Sequence, residues 1–479
     1  MAKKKVTPKK SAPAPEEQKP KISSLMASQL ATTNRYRLKG TEARRTKAAA
    51  VKPVAGLSPE EDVIRVGFKI PLVMQYVLDC PVFPLGVIIE LDGPPESHKT
   101  MLLYEMGRWF SRQTGVLNMT VTESKVSEEL ARSIIGWDRA SREAFQYLIV
   151  PSMNEMQANV LRAINAALDS YQGKADKNYV GANSPVLVGV DSIMGANMEE
   201  RKQKIMSDGF AGKGFAVAAL SLTDYLKEVA ALVASQPISV VLINHRKEAP
   251  PDPSNPHARV EARKPGGHHV RYQQSFEVIT RVKNAWKEAD PNPLGAGEIH
   301  WRRISLQNGK NSAGTNKQAF TVDVSWRKRE IGGRLRQITV FHWEAALPRL
   351  IVDFQTNKLY GTKTEDDSEA SVSRLAIADR FIHLRYERGK YWSKTLGMDK
   401  TDAVSATQMG KMLESNPDCV GSIQALLGIP EGTAWAGGSD YRQAWVDARR
   451  KSRERLKTQL DQQEQELQAL YDEIQMEDV

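Results

Sequence analysis

The chain has 479 residues, 41% of them hydrophobic, with a formal net charge of +10 and two cysteines. That length leaves room for two or three domains with a sizeable core, while Cys80 and Cys419 are too few for a disulfide framework. No apolar run approaches the roughly 18 residues of a membrane span and no apolar secretory segment opens the chain, so a reducing, cytoplasmic setting is expected.

The charge is unevenly placed. Residues 1–52 carry fourteen Lys/Arg against three Glu, a balance of +11, so the remainder sums to about −1. Residues 1–54 are rich in Lys, Pro, Ala, Ser and Thr and poor in large apolar side chains, which predicts a disordered basic tail. Such a tail suits sequence-independent attraction to phosphate backbones. A solubilising arm, or an import signal built on Lys3 to Lys5 and Lys9 to Lys10, has the same composition.

Leu57 to Asp79 reads as short helices. Gly86 to Leu91 is an apolar run that predicts a buried strand, and Gly93, Pro94, Pro95, Glu96, Ser97, His98, Lys99 and Thr100 follow it. This is the G-x4-G-K-[ST] phosphate-loop pattern with one letter changed. Its chemistry needs this order: backbone N–H groups at a helix start converge on a polyphosphate, Lys99 adds a positive charge, and the Thr100 hydroxyl ligates Mg²⁺. His98 stands where the pattern asks for Gly, and its Cβ narrows the backbone choices at the tightest point of the loop. Met101 to Phe110 has the apolar spacing of the helix that should follow.

From Gly86 to about Val282 apolar runs alternate with helical stretches. This predicts an α/β core, a mostly parallel sheet with helices on both faces. Further strands are expected at Val116–Val121, Tyr147–Val150, Pro185–Val190 and Ile238–Ile243, with helices at about Asn154–Tyr171 and Phe215–Ser235. Phe276–Arg281, Ile304–Leu306 and Ala319–Val324 read as strands that extend the sheet antiparallel. Asp191 ends an apolar strand downstream of the phosphate loop, the position of a carboxylate beside Mg²⁺. Glu123 lies just beyond Val121, where a carboxylate can orient the water that attacks a γ-phosphate. The resulting division is a tail (1–54), a core (55–350), a small α-rich domain (351–438) and a long helix with an acidic end (439–479).

The order of Gly93–Thr100, Thr122–Lys125, Pro151–Glu155, Val190–Ile193, Leu242–His245 and Pro265–Tyr272 resembles the RecA family of recombinases, especially divergent bacteriophage members of the UvsX kind. The resemblance spans roughly Leu57 to Leu350. It implies a RecA-like phosphate-loop ATPase core that takes ATP and Mg²⁺ and assembles as a helical filament on single-stranded DNA. Homologous pairing with duplex DNA, strand exchange and DNA repair follow from it. By the same resemblance Glu123 is the catalytic carboxylate and Asp191 the metal-side acid. His245 falls where the family has a γ-phosphate-sensing Gln, and Lys310 matches a lysine that reaches a neighbour's nucleotide; Asn308 replaces a second such lysine. Asn197–Gly214 becomes the first DNA-binding loop, with Arg201, Lys202, Lys204 and Lys213. Arg246–Gly266 becomes the second, with Arg246, Lys247, Arg259, Arg263 and Lys264. The family's adenine-stacking Tyr falls at Leu130. Two other expectations stay open: a ring-forming motor of the same fold, and a nucleotide-gated filament protein with little hydrolysis.

Overall fold

A computed structural model describes residues 66–113, 115–122, 128–138, 143–150, 152–174, 184–193, 213–234, 236–245, 247–248, 262–263, 274–291, 297–311, 318–331, 333–355, 384–429 and 433–434, and the single positions 447, 450, 454, 458 and 465. The expected tail and most of the expected terminal helix lie outside the described residues. Asp447, Arg450, Glu454 and Thr458 are helical, and Arg450 meets Asp447 at 3.2 Å and Glu454 at 4.0 Å, the i,i+3 and i,i+4 pairs of a helix.

The described elements belong to one compact unit, Leu57–Thr458. Chain order is β1 (Val66–Phe68), α1 (Leu72–Leu78), β2 (Phe83–Pro84), β3 (Ile88–Asp92), α2 (Lys99–Arg112), β4 (Val116–Val121), α3 (Glu128–Ile135), β5 (Phe145–Ile149), α4 (Met153–Tyr171), β6 (Val186–Asp191), α5 (Lys213–Val233), β7 (Ile238–Ile243), β8 (Lys247–Glu248) and β9 (Ala262–Arg263). There follow β10 (Phe276–Ala289), β11 (Glu298–Asn311), β12 (Ala319–Ile331), β13 (Arg334–Phe341), α6 (Trp343–Phe354), β14 (Arg385–Glu387), β15 (Lys390–Trp392), β16 (Val404–Ser405), α7 (Ala406–Ser415), α8 (Pro417–Leu427) and β17 (Thr433–Ala434).

Nine strands form the main sheet in the order β13-β12-β11-β10-β3-β7-β6-β4-β5. The six from β10 to β5 are mutually parallel, and β11, β12 and β13 continue antiparallel. Strands β3, β6 and β7 are buried at every position, as parallel strands covered on both faces must be. On one face Met156, Val160 and Ile164 of α4 and Leu226 and Val229 of α5 pack with Val188, Val190, Val240 and Leu242. The other face is covered by α1, α2, α3 and α6, through residues such as Leu103, Met106, Phe110, Ile134 and Leu347. Ser152 caps α4 by accepting from the Glu155 N–H at 3.2 Å, which satisfies one of the amides that a helix start leaves open.

The sheet extension is larger than the apolar runs predict. Strands β10 and β11 have 14 residues each and β12 has 13, and β13 was not anticipated. Burial along β10 ends after Thr280, so hydropathy carries no signal for its outer half. There the strands are held by cross-strand pairs instead, such as Trp286 stacked on Trp301 at 5.7 Å. The extension also joins the core by a parallel pairing, β10 on β3, and becomes antiparallel only beyond β10.

The expected boundary at residue 350 falls inside α6. Residues from the expected 351–438 domain, among them Tyr391, Trp392, Met409, Leu413 and Ile423, join the same hydrophobic cluster as α1 and α2. Strand β17 pairs with β1, and Gln424 Nε2 donates to Gln75 Oε1 at 2.8 Å. Helix α6 is fastened to α2 by Glu105, whose buried carboxylate accepts from Trp109 Nε1 at 3.1 Å, from Trp343 Nε1 at 2.9 Å and from Arg108. Helices α6 and α7 meet where Gly410 lies so close to Glu344 that a Cβ there would stand 1.8 Å from its backbone oxygen. Gly410→Ala must separate two helices whose backbones cannot yield. A loss of about 2 kcal/mol or more is expected, read as a lowered urea midpoint at unchanged m-value. Wild-type stability in that variant would refute the contact.

Candidate functional site

The phosphate-loop segment occupies the turn from β3 to α2 as the sequence predicts, and strands on both sides hold it. The Gly93 N–H donates to Asp92 Oδ1 at 2.8 Å, and Gly93 has φ +153°, where a Cβ would meet the Thr280 carbonyl at 2.4 Å. Ser97 Oγ and Thr280 Oγ1 are 2.7 Å apart, so β10 supports the middle of the loop. Lys99 is 4% exposed and folds back over the loop, donating to the carbonyls of Gly93 at 2.9 Å and Pro94 at 2.7 Å and to Ser97 Oγ at 3.3 Å. An ammonium held at the mouth of a ring of loop atoms is ready to exchange carbonyl oxygens for those of an anion.

The predicted metal pair is together. Thr100 Oγ1 donates to Asp191 Oδ2 at 2.8 Å, although the two are 91 residues apart, and Asp191 is 1% exposed. A hydroxyl and a carboxylate are hard oxygen donors that suit Mg²⁺, which takes few protein ligands and completes its shell with water and phosphate. Among the described residues no cluster of three His, Cys, Asp or Glu could hold a metal. Strand β4 adjoins β6 at this end: Thr122 N–H donates to the Asp191 carbonyl at 2.7 Å, and Thr122 Oγ1 to that of Ser192 at 2.6 Å. Glu123, the next residue, lies outside the described residues, as do Arg201, Lys202, Lys204, Arg246, Arg259 and Lys264. Of the other predicted DNA-contacting residues, Lys213 begins α5, and Lys247 and Arg263 are paired in the ribbon of β8 and β9.

His245 follows β7, the neighbour of β3, and its N–H donates to Asn244 Oδ1 at 2.9 Å. Asn244 Nδ2 in turn donates to Glu90 Oε1 at 2.8 Å. Lys310 is a strand residue of β11, donating to the Gln274 carbonyl at 2.6 Å, and Asn308 is buried, its Nδ2 without a partner among the described residues. Leu130 is half-buried and packs against the core on α3.

His98 takes the conformation expected of the Gly it replaces, φ 67° and ψ 26°, and Glu96 is also left-handed at φ 59°. Each costs about 1 kcal/mol or more for a residue with a Cβ. The His98 ring is fixed on both edges: Nδ1 lies 3.0 Å from Met101 Sδ and Nε2 lies 3.0 Å from Arg302 Nη1. Sequence reading missed Arg302 and Thr280. They are 183 and 204 residues from the loop side chains they meet, Thr280 from Ser97 and Arg302 from His98, and no local pattern marks them.

A scan against models of known protein families found none that matches the chain, and a search of curated proteins found no matching relative.

Burial, then the charges of Arg302 and Lys99, pull the His98 imidazole from its usual 6.5 down to about 4. Between those values the unfolded chain binds a proton at His98 that the folded one does not. Stability therefore stays complete above pH 6.5 and falls as pH drops toward 4, by up to about 3 kcal/mol for this group. Denaturant unfolding at pH 7, 5.5 and 4 should show that excess loss in the wild type relative to His98→Asn. Parallel curves for the two proteins would mean the ring is not held as described.

Proposed function

We propose that the chain is an ATP-dependent, RecA-like DNA strand-exchange protein. The observation that carries the nucleotide part is the Thr100–Asp191 contact at 2.8 Å beside a loop mounted on the central strand. It joins a helix-start hydroxyl to a strand-end carboxylate beside Lys99, the constellation that phosphoryl transfer needs. Backbone amides of the loop would bind the polyphosphate, Lys99 would leave the Gly93 and Pro94 carbonyls for phosphate oxygens, and Thr100 with Asp191 would hold Mg²⁺. That ion would neutralise charge on the phosphates. Glu123 would orient the attacking water. His245, next to the loop at the end of β7, would sense the terminal phosphate. Lys310 would serve a neighbouring protomer's nucleotide after releasing the Gln274 carbonyl.

The DNA part rests on the resemblance and on charge. The basic tail and the two loops, with Arg201, Lys202, Lys204, Lys213, Arg246, Lys247, Arg259, Arg263 and Lys264, would hold phosphate backbones, leaving bases free to test pairing. A head-to-tail contact repeated without closure gives a helical filament. The left-handed His98 and the inward-folded Lys99 favour a second reading, a filament protein gated by nucleotide with little hydrolysis.

Steady-state ATPase measurement with and without single-stranded DNA separates the two. Strand exchange requires DNA-stimulated turnover that Lys99→Ala abolishes and that Glu123→Gln slows by orders of magnitude while retaining ATP binding. Unchanged turnover in Lys99→Ala would mean that the loop has been misread. Deleting residues 1–52 removes +11 of charge, so DNA affinity should fall and the slope of log K against log salt should become shallower, with basal ATPase intact. Equal slopes would show that the tail is not on the DNA.

A further inference from the structure

Arg302, beside the loop, has no part in the nucleotide binding proposed above. Arg302 lies in β11, opposite Ala285 of β10 and Val324 of β12. Its Nη1 is 3.0 Å from His98 Nε2. A guanidinium only donates, so Nε2 accepts, and the imidazole proton sits on Nδ1, facing Met101 Sδ. The indole of Trp326 backs the same guanidinium, its centroid 5.6 Å from Cζ. Arg302 is thus held at two points, yet among the described residues no carboxylate lies within salt-bridge distance of it.

Arg302 also borders a cleft of about 490 Å³. One wall is the outer flank of the phosphate loop, Pro94 to Ser97; the other is Arg281, Val282, Ala285 and Arg302. Two arginines therefore line this wall, and the single carboxylate in the cleft, Glu96, is exposed. Sheet order explains the asymmetry. Strand β3 has β10 and β11 on one side and β7 and β6 on the other, so Asp191 and Thr100 serve one flank of the loop and the arginines the opposite one. A polyphosphate seated there would meet Lys99 and a Mg²⁺ held by Thr100 and Asp191 on one flank, and only an arginine could add positive charge from the other.

We infer that Arg302, aimed by His98, contacts the polyphosphate of the bound nucleotide in cis, from the flank opposite the metal pair. His98 is then a positioning residue. Its side chain supplies an acceptor that a glycine at this position could not, and so fixes the fork geometry through which an arginine binds phosphate. The inference rests on the phosphate-loop reading, and the experiment keeps the two apart.

Equilibrium binding of Mg-ATP to the full chain is measured for the wild type and for Lys99→Ala, Arg302→Ala, Arg302→Lys, His98→Gln and His98→Leu, with thermal melts to verify folding. Arg302→Ala should weaken ATP binding about tenfold, and Arg302→Lys several-fold, because a lysine keeps the charge without the fork. His98→Leu should approach the Arg302→Ala value, and adding it to Arg302→Ala should cost nothing more. His98→Gln keeps an acceptor and should recover most of the affinity. A purely structural His98 would make the Leu and Gln variants alike and would add to Arg302→Ala, which overturns the positioning role. If Lys99→Ala loses ATP while both Arg302 variants bind like the wild type, Arg302 does not touch the nucleotide and the loop reading survives. If Lys99→Ala also binds normally, the loop reading itself has failed. Loss of single-stranded oligonucleotide binding in Arg302→Ala without nucleotide, with ATP affinity intact, would assign the guanidinium to a nucleic-acid phosphate and overturn the inference.

Discussion

Strand β3 runs between β10 and β7, and the shape of the loop at its end depends on that placement. A loop made of a glycine, two prolines and five polar residues has no core of its own, so its shape must come from neighbours. Here the neighbours are specific: Asp92 holds Gly93, Thr280 of β10 holds Ser97, and Asp191 of β6 holds Thr100. Three parallel strands with fixed register thereby set the path of the backbone N–H groups from Gly93 to Thr100. Moving β3 one residue against β10 would exchange Thr280 for Ile279 or Arg281 and reverse every side chain on the strand.

The same arrangement explains why this core tolerates so many buried polar groups. Glu90, Asp92, Glu105 and Asp191 are each at most 1% exposed. An isolated buried carboxylate is costly, and each of these accepts a hydrogen bond from a fixed donor: Asn244, the Gly93 amide, two indoles with Arg108, and Thr100 respectively. Two of them, Asp92 and Asp191, lie at the loop between β3 and α2. Glu105 stands apart and has a structural task, joining α2 to α6 and so tying the loop's helix to the C-terminal elements. Left-handed Glu96 and His98 add backbone strain at the same loop, which persists only because the surrounding contacts over-determine it.

Beyond β10 the sheet is maintained by different forces. Its outer strands lack the two-sided burial of β3 to β7 and rely on aromatic and ionic pairs. Arg303 meets Asp323 at 2.7 Å, and Asp323 also accepts from Arg349 of α6 at 3.0 Å. Burial alone would raise the Asp323 carboxyl, but hydrogen bonds and charge from the two arginines outweigh it and hold the group below its usual value. This pairing links the extension to α6, so the long hairpin is braced from behind where it borders the loop.

Residue pattern by itself determined the parallel core. The runs at Val116–Val121 and Ile238–Ile243 are strands with those bounds, and Asn154–Tyr171 differs from α4 by one residue, because burial on two faces or along one helical stripe leaves a periodic apolar signal. It also singled out Thr100, at a helix start, and Asp191, at a strand end, which the fold brings within 2.8 Å. The outer halves of β10 to β12, all of β13, and the merging of residues 384–429 with the core left no such signal. Half-exposed strands alternate weakly, and whether a helix starts a new domain or covers an old one is decided by what it meets. Tertiary structure alone brought Thr280 and Arg302 to the loop, because strand pairing, not sequence distance, fixes which side chains from β10 and β11 reach the end of β3. His98 was legible as a departure from the pattern; that its ring spans Met101 and Arg302 became visible only when β11 was laid beside β10.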